Sequence, residues 1–312
     1  MLYLLQYEYY FIQFFFILYI YMIIMIIIII IIIITIIIIF ILCNNILQHF
    51  ENFDNKNISP VIFCIAKFEQ KYIEEFVNYH IKLGFDKIYI YDNEDIPTYN
   101  TLLDKYKDNI VVIPFSGEKQ QYPSLEHFIQ NYINDPTITH VINIDVDEFI
   151  VLKKHKNIKD FIKEYIKDDC AGIGINWRFF GSSNKNEIED IPCTLRFTKC
   201  EKEGNKHIKT LFNKNYFIKY NTMHDIDIND GYHIKNTKND IIKGPFNNNI
   251  DLSIIQLNHY KSKTLPEFLQ IRKRGTADTH EIKTDEHVKQ DFLAYDKNDV
   301  EDLTAYNFYL NA

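Results

Sequence analysis

His140-Val-Ile-Asn-Ile-Asp-Val-Asp-Glu-Phe-Ile150 is an apolar strand that runs into three carboxylates, Asp145, Asp147 and Glu148. A chain that buries Val141, Ile142 and Ile144 and then sets acids at the strand end has the means to hold a cation there. Hard divalent cations such as Mg²⁺ or Mn²⁺ take oxygen ligands and often keep only one or two protein carboxylates, so that substrate phosphates fill the remaining positions. Asp-x-Asp also arises in solvated turns and at helix N-caps, so the surrounding chain has to decide its meaning.

Upstream, strands and helices alternate. Val61-Ile-Phe-Cys-Ile-Ala66 is apolar on both faces, as a central strand of a covered parallel sheet would be. Ile73, Phe76, Val77, His80 and Ile81 recur at helical spacing, and Gly84 follows in the position that closes a helix. His80 falls on the buried stripe and reads as a core histidine rather than a ligand. Lys87-Ile-Tyr-Ile-Tyr91 makes a second strand ending in Asp92-Asn93. A helix near 98–106, a strand over 110–114 and a helix near 124–134 then lead to the quoted strand. This βαβ spacing predicts an α/β fold with a mostly parallel central sheet, whose ligands sit beyond the C-terminal strand ends. The candidate site is therefore Lys67 and Glu69, Asp92 and Asn93, and Asp145 to Glu148. No Gly-x-Gly-x-x-Gly follows the first strand and no Walker lysine motif is present, which disfavours a Rossmann dinucleotide site and a P-loop ATPase.

Downstream, an amphipathic stretch over 158–166 precedes Ala171-Gly-Ile-Gly-Ile-Asn-Trp177-Arg-Phe-Phe-Gly-Ser-Ser-Asn184, which holds the single tryptophan. Trp177 before a polar loop suits a sugar-stacking acceptor site, and equally a core tryptophan beside a surface turn. Residues 186–249 are irregular, with His207, His224 and His233, and are expected to form antiparallel strands and loops. The apolar run 252–257 leads to Asn258-His259-Tyr260. A helix begins near Leu265, and Arg272-Lys-Arg274-Gly is either a solvated helix end or a diphosphate contact.

The formal charge of −8 argues against a nucleic-acid partner, whose binding proteins carry basic footprints. Five cysteines form no zinc spacing and too sparse a set for a disulfide scaffold, so buried free thiols are expected; Cys193 and Cys200 could bridge a hairpin in an oxidising compartment. Residues 14–43 are apolar except for Thr35, long enough to span a bilayer. The segment has no basic n-region and no small-x-small cleavage site, so a single uncleaved anchor is expected, with a membrane-bound location. Its orientation is open: the first basic residue, Lys56, favours a cytosolic C-terminal domain, whereas the glycosylation triplet Asn57-Ile-Ser59 favours the lumen. The expected organisation is a tail (1–13), the transmembrane anchor (14–43), a stem (44–59), a catalytic domain (60–275) and a C-terminal helical extension (276–312).

Five motifs occur in a telling order: Glu75-Phe-Val-Asn-Tyr79-His80-x-x-x-Gly84, Tyr89-x-Tyr91-Asp92-Asn93, Asp145-x-Asp147-Glu148-Phe149, Trp177-x-x-Phe180-Gly181-Ser182 and His259-Tyr260. Together, over about residues 60–275, the chain resembles glycosyltransferase family 92 and the family 2-like enzymes of the GT-A fold. The resemblance implies a metal-dependent, inverting, hexosyltransferase-like enzyme. It would use Mn²⁺ or Mg²⁺, a nucleotide-sugar donor (a UDP- or GDP-sugar) and a glycan or glycoprotein acceptor, in a Golgi- or ER-like endomembrane. It places Asp92 and Asn93 near the nucleoside, Asp145 between ribose and metal, Asp147 on the metal, and His259 as a further metal ligand. Glu148 joins these acids as a catalytic candidate, while Lys209 and His224 fall where the family carries further polar site residues. Where the family commonly has Lys-Asn-Glu, this chain has Lys67-Phe68-Glu69, which removes an amide near the nucleotide. Inversion needs a carboxylate base at the acceptor hydroxyl, and Glu187, Glu189, Asp190, Asp225 and Asp227 are all candidates. A catalytically inactive membrane-tethered glycan-binding domain and a nucleotidyltransferase on a related sheet are the alternatives. The second lacks the basic, Gly-rich loop that would hold a triphosphate.

Overall fold

A computed structural model of the chain describes Met22, Met25, 29–42, 58–272, Gly275 and 283–311. The chain divides into two units, Met1–Lys56 and Asn57–Ala312. In the first, 29–42 is helical with exposed side chains. Among the described residues no helix is long and apolar enough to cross a membrane. The rest of the expected anchor, and most of the expected stem, lie outside the described residues.

The second unit is built on a nine-stranded sheet. Its first half follows the alternation read from the sequence: β1 (Pro60–Ala66), α1 (Ile73–Lys82), β2 (Lys87–Asp92), a short helix α2 (Tyr99–Leu102), β3 (Ile110–Pro114), α3 (Gln121–Asn131) and β4 (His140–Asn143). β1 lies between β2 and β4 and is parallel to both, and β3 extends the parallel set beyond β2. The chain thus winds one way from β1 to β2 and β3 and the other way to β4, leaving a crevice beyond the C-terminal ends of β1 and β4. Both faces of β1 are covered. Ile62, Cys64 and Ala66 join the core beneath α1, whereas Val61 and Phe63 join the core beneath α3. That two-sided burial is why the strand is apolar throughout.

The second half mixes strand directions. β5 (Glu148–Leu152), α4 (Ile158–Tyr165), β6 (Cys170–Phe179), a short α5 (Cys193–Arg196), β7 (Lys199–Cys200), β8 (Ile208–Asn213), β9 (Phe217–Tyr220), β10 (Ile226–Ile228), β11 (His233–Lys235) and β12 (Ile255–His259) follow. The main sheet runs β3-β2-β1-β4-β8-β6-β12-β5, with β11 also pairing with β6. β8 is antiparallel to both β4 and β6, β12 is parallel to β6, and β5 is antiparallel to β12. Gly172 in β6 lets β8 approach, because a Cβ there would stand 2.7 Å from the Leu211 carbonyl. α6 (Leu265–Arg272), α7 (Asp285–Tyr295), β13 (Val300–Glu301) and α8 (Thr304–Asn311) complete the unit, and β13 pairs with β7.

His80 is the core histidine its position predicts. Its Nδ1 lies 2.9 Å from the Phe76 carbonyl, Ile150 N–H donates to its Nε2, and burial depresses its pKa to about 3. The described cysteines, Cys64, Cys170, Cys193 and Cys200, are free and buried, so no bridge joins Cys193 to Cys200.

Candidate active site

β4 ends at Asn143, and the acids occupy the turn that sends the chain back as β5. The turn is locked twice: Glu148 N–H donates to the Asp145 carbonyl at 2.9 Å, and Asp145 N–H donates to Glu148 Oε2 at 3.0 Å. The antiparallel register of β5 and β12 sets His259 opposite Glu148, and Tyr260 N–H donates to the Asp147 carbonyl at 2.8 Å. As a result His259 Nε2 lies 3.5 Å from Asp147 Oδ1. Phe179 stacks on the His259 ring at 5.2 Å and Trp177 meets its edge at 4.6 Å, so the imidazole is held on two sides. Burial keeps this histidine below its ordinary pKa, partly offset by Asp147.

Asp147 and His259 face an open cleft that Lys67, Glu69, Asn93, Asp145 and Trp177 also line. These are the ends of β1, β2 and β4 predicted to converge, joined by β6 and β12. Among the described residues, the cleft is lined by four cations (Lys67, Lys119, Lys261 and Arg272) and four acids (Glu69, Glu118, Asp145 and Asp147). A purely acidic rim would repel a diphosphate, whereas this balance admits one. Asn93 turns its amide nitrogen onto the carbonyls of Phe115 and Gly117, at 2.7 and 2.9 Å, and so fixes the loop after β3 that forms one wall.

Lys209, from β8, reaches beneath the acids. Its side chain is 1 % exposed, 3.5 Å from Asp145 Oδ2 and 3.7 Å from Glu148 Oε2. Burial opposes its charge, but Asp145 and Glu148 more than offset this and raise its pKa. Glu148 is fully buried, and burial pushes its carboxyl well above the usual range.

A hard cation with one or two protein ligands is compatible with Asp147 and His259 as they stand. The three-ligand set that includes Asp145 is not assembled: among the described residues no group of three His, Cys, Asp or Glu side chains converges at ligating distance. Lys209 Nζ lies 3.5 Å from Asp145 Oδ2, and Asp145 still lines the cleft with Asp147 and His259.

Other candidates lie elsewhere. Asp92 is fully buried and does not border the cleft; its carboxylate accepts from the N–H groups of Glu94, Thr98 and Tyr99 and shapes the loop after β2. His224 sits behind Trp177 with Nδ1 2.8 Å from the Ile208 carbonyl, and burial together with Lys209 lowers it to about 4. None of Glu187, Glu189, Asp190, Asp225 and Asp227 borders the cleft. Asp225 and Asp227 instead accept from Asn221, at 3.3 and 2.6 Å. Glu189 pairs with Lys185. Phe68 takes a left-handed φ of +60° with its side chain 41 % exposed, while its N–H donates to Glu94. The loop 117–119 and Lys261 went unread in the sequence. Applying the strand-end rule to β3 would have found the first, and Lys261 stands two residues past His259.

The sequence model of glycosyltransferase family 92 matches residues 59–294. No curated protein matches in sequence. Among solved structures, a cytidylyltransferase from Leptospira borgpetersenii serovar Hardjo-bovis (strain JB197) is similar over 51 % of this chain and 61 % of its own length. The identity is 10 % and the TM-score 0.27.

Proposed function

The chain belongs to glycosyltransferase family 92 and is a glycosyltransferase, and from that premise we propose that it is a metal-dependent one, moving a sugar from a nucleoside-diphosphate donor to a glycan or protein hydroxyl with inversion. The observation that carries this reading is the approach of His259 Nε2 to Asp147 Oδ1, 3.5 Å apart on the wall of the cleft at the sheet's switch point. Asp147 and His259 would hold Mn²⁺ or Mg²⁺. Held there, the ion would supply positive charge to offset the negative charge that builds on the leaving group. Lys67, Lys261 and Arg272 line the same cleft and supply positive charge for the diphosphate oxygens. Asn93, with its amide nitrogen committed to the loop after β3, retains its carbonyl oxygen as an acceptor for the nucleoside. Trp177, on the His259 side of the cleft, would border a bound sugar, with its ring stacked on His207 at 5.0 Å. Lys209 keeps Asp145 oriented by charge, a role that needs no contact with donor.

Mn²⁺-dependent hydrolysis of a panel of UDP- and GDP-sugars by the full chain tests the proposal. Turnover that disappears in Asp147→Asn supports it. Failure to bind or turn over any nucleotide sugar, with Asp147→Asn indistinguishable from the parent chain, would sink it.

A further inference from the structure

Glu148 belongs to the acid cluster by sequence, yet it is fully buried and does not border the cleft, so it does not reach the donor. Its two oxygens have different surroundings. Oε2 accepts from Asp145 N–H at 3.0 Å and has the Lys209 ammonium 3.7 Å away. Oε1 is buried without a hydrogen-bond partner, and so is Nδ1 of His259. These two orphaned atoms face each other at 3.9 Å. The ring's other nitrogen, Nε2, is the one that lies 3.5 Å from Asp147 Oδ1 and the cleft.

We propose that Glu148 is the positioning residue of this site: it receives the Nδ1 proton of His259 in a hydrogen bond and so leaves the Nε2 lone pair aimed at the cleft. The inference rests on the reading that Asp147 and His259 hold a divalent cation. Three features support it. A buried donor and a buried acceptor, each without another partner, gain from meeting, since each otherwise bears its full desolvation cost. Only about 1 Å separates the present gap from an ordinary hydrogen bond. The approach is also built into the backbone, because His259 and Glu148 are partners in the β5–β12 ladder while Phe179 and Trp177 confine the ring. Metal-bound histidines commonly donate their second ring N–H to a carboxylate, which fixes tautomer and ring orientation. A single carboxylate thus ties together the acid turn through Asp145 N–H, the Lys209 charge and the histidine from β12.

Trp177, the chain's single tryptophan, lies 4.6 Å from the His259 ring and reports on the site, because Mn²⁺ quenches indole fluorescence. The experiment is an Mn²⁺ titration of the full chain without donor, followed by Trp177 emission. The parent chain should show saturable quenching, and Glu148→Gln should weaken the apparent affinity about 10- to 100-fold. A glutamine cannot accept from Asp145 N–H and from His259 Nδ1–H at once, since one of its two positions is a donor. Unchanged affinity in Glu148→Gln overturns this inference and leaves the metal reading standing. Absence of quenching in the parent chain, or quenching that survives Asp147→Asn, removes the metal reading and this inference with it. A second measurement needs no Glu148 variant. The imidazole ¹⁵N resonances that vanish in His259→Asn should report a proton on Nδ1, and a proton on Nε2 instead overturns the proposal.

Discussion

Nε2 of His259 lies 3.5 Å from Oδ1 of Asp147, although the two residues come from different halves of the sequence. β12 carries one and the turn after β4 carries the other, and the antiparallel β5–β12 ladder brings them together. A pair of this kind concentrates any cation-dependent chemistry on two side chains, which makes it open to direct test.

Replacing Asp147 by Asn should remove Mn²⁺-dependent donor hydrolysis. Indirect partners of a metal typically cost 10- to 100-fold in affinity or activity when lost. A direct ligand should cost about 100-fold or more. Initial rates on nucleotide sugars, with and without Mn²⁺, measure this. Retention of more than a tenth of the parent rate would contradict the assignment.

Lys209 neutralises an acid cluster that is partly out of water. Lys209→Met keeps the stem and deletes the charge, leaving the fully buried Glu148 without its ammonium. Removing one partner of a buried pair typically costs about 3 to 5 kcal/mol, and the long contacts here put the expectation at the lower end, about 3 kcal/mol. Urea denaturation of the parent chain and the variant reads the difference. A loss below about 1 kcal/mol would mean the lysine behaves as a solvated surface partner.

Phe68 holds a left-handed backbone conformation that bulky residues disfavour by about 1 to 2 kcal/mol, whereas asparagine enters it more readily. An amide at this position, as the family resemblance implies, is the residue type the backbone suits. Phe68→Asn should stabilise the unit by about 1 kcal/mol. The side chain is 41 % exposed, so little packing is lost in exchange. A lower urea midpoint in the variant would show that Phe68 contributes packing that outweighs the backbone strain.

Burial lowers His80 to about 3, and His140 and His224 to about 4. Each folded-state value lies below the ordinary histidine value near 6.5, so on acidification the unfolded chain takes up these protons first. The stability contribution is therefore complete above about pH 6.5 and is lost as pH falls toward about 4. Buried Glu75 and Glu148 act in the opposite direction, since burial raises their carboxyls. His207 and His259 are lowered as well and Glu201 is raised as well, so among the described residues five histidines against three carboxylates leave a net loss, on the order of 1 kcal/mol per pH unit for each uncompensated histidine. Urea midpoints at pH 7 and pH 5 should differ in that sense. An equal or higher midpoint at pH 5 would contradict it.

The parallel half of the sheet was legible in the sequence because its signals are local. Alternating apolar runs and helical stripes marked β1, α1, β2, β3, α3 and β4, and the strand-end rule pointed to Lys67, Glu69, Asn93 and the acid turn without any long-range information. The same rule also pointed to Asp92, which the fold uses for a loop; a carboxylate that caps three backbone N–H groups looks in sequence like one that faces a ligand. Within 186–249, β9 and β10 pair with each other, but the other short strands find partners far away, and their periodicity is too brief to assign.

By itself, the sequence determined the order of strands and helices through β4, their covered parallel sheet and the set of residues at its carboxyl ends, since each follows from side-chain periodicity within one segment. Tertiary structure alone decided which of those residues meet. The β5–β12 register sets His259 against Asp147 and Glu148. The β4–β8 pairing brings Lys209 under the acids, 3.5 Å from Asp145. Register between strands distant in the chain depends on the packing of the whole core, and a one-residue slip would turn each of these side chains to the opposite face.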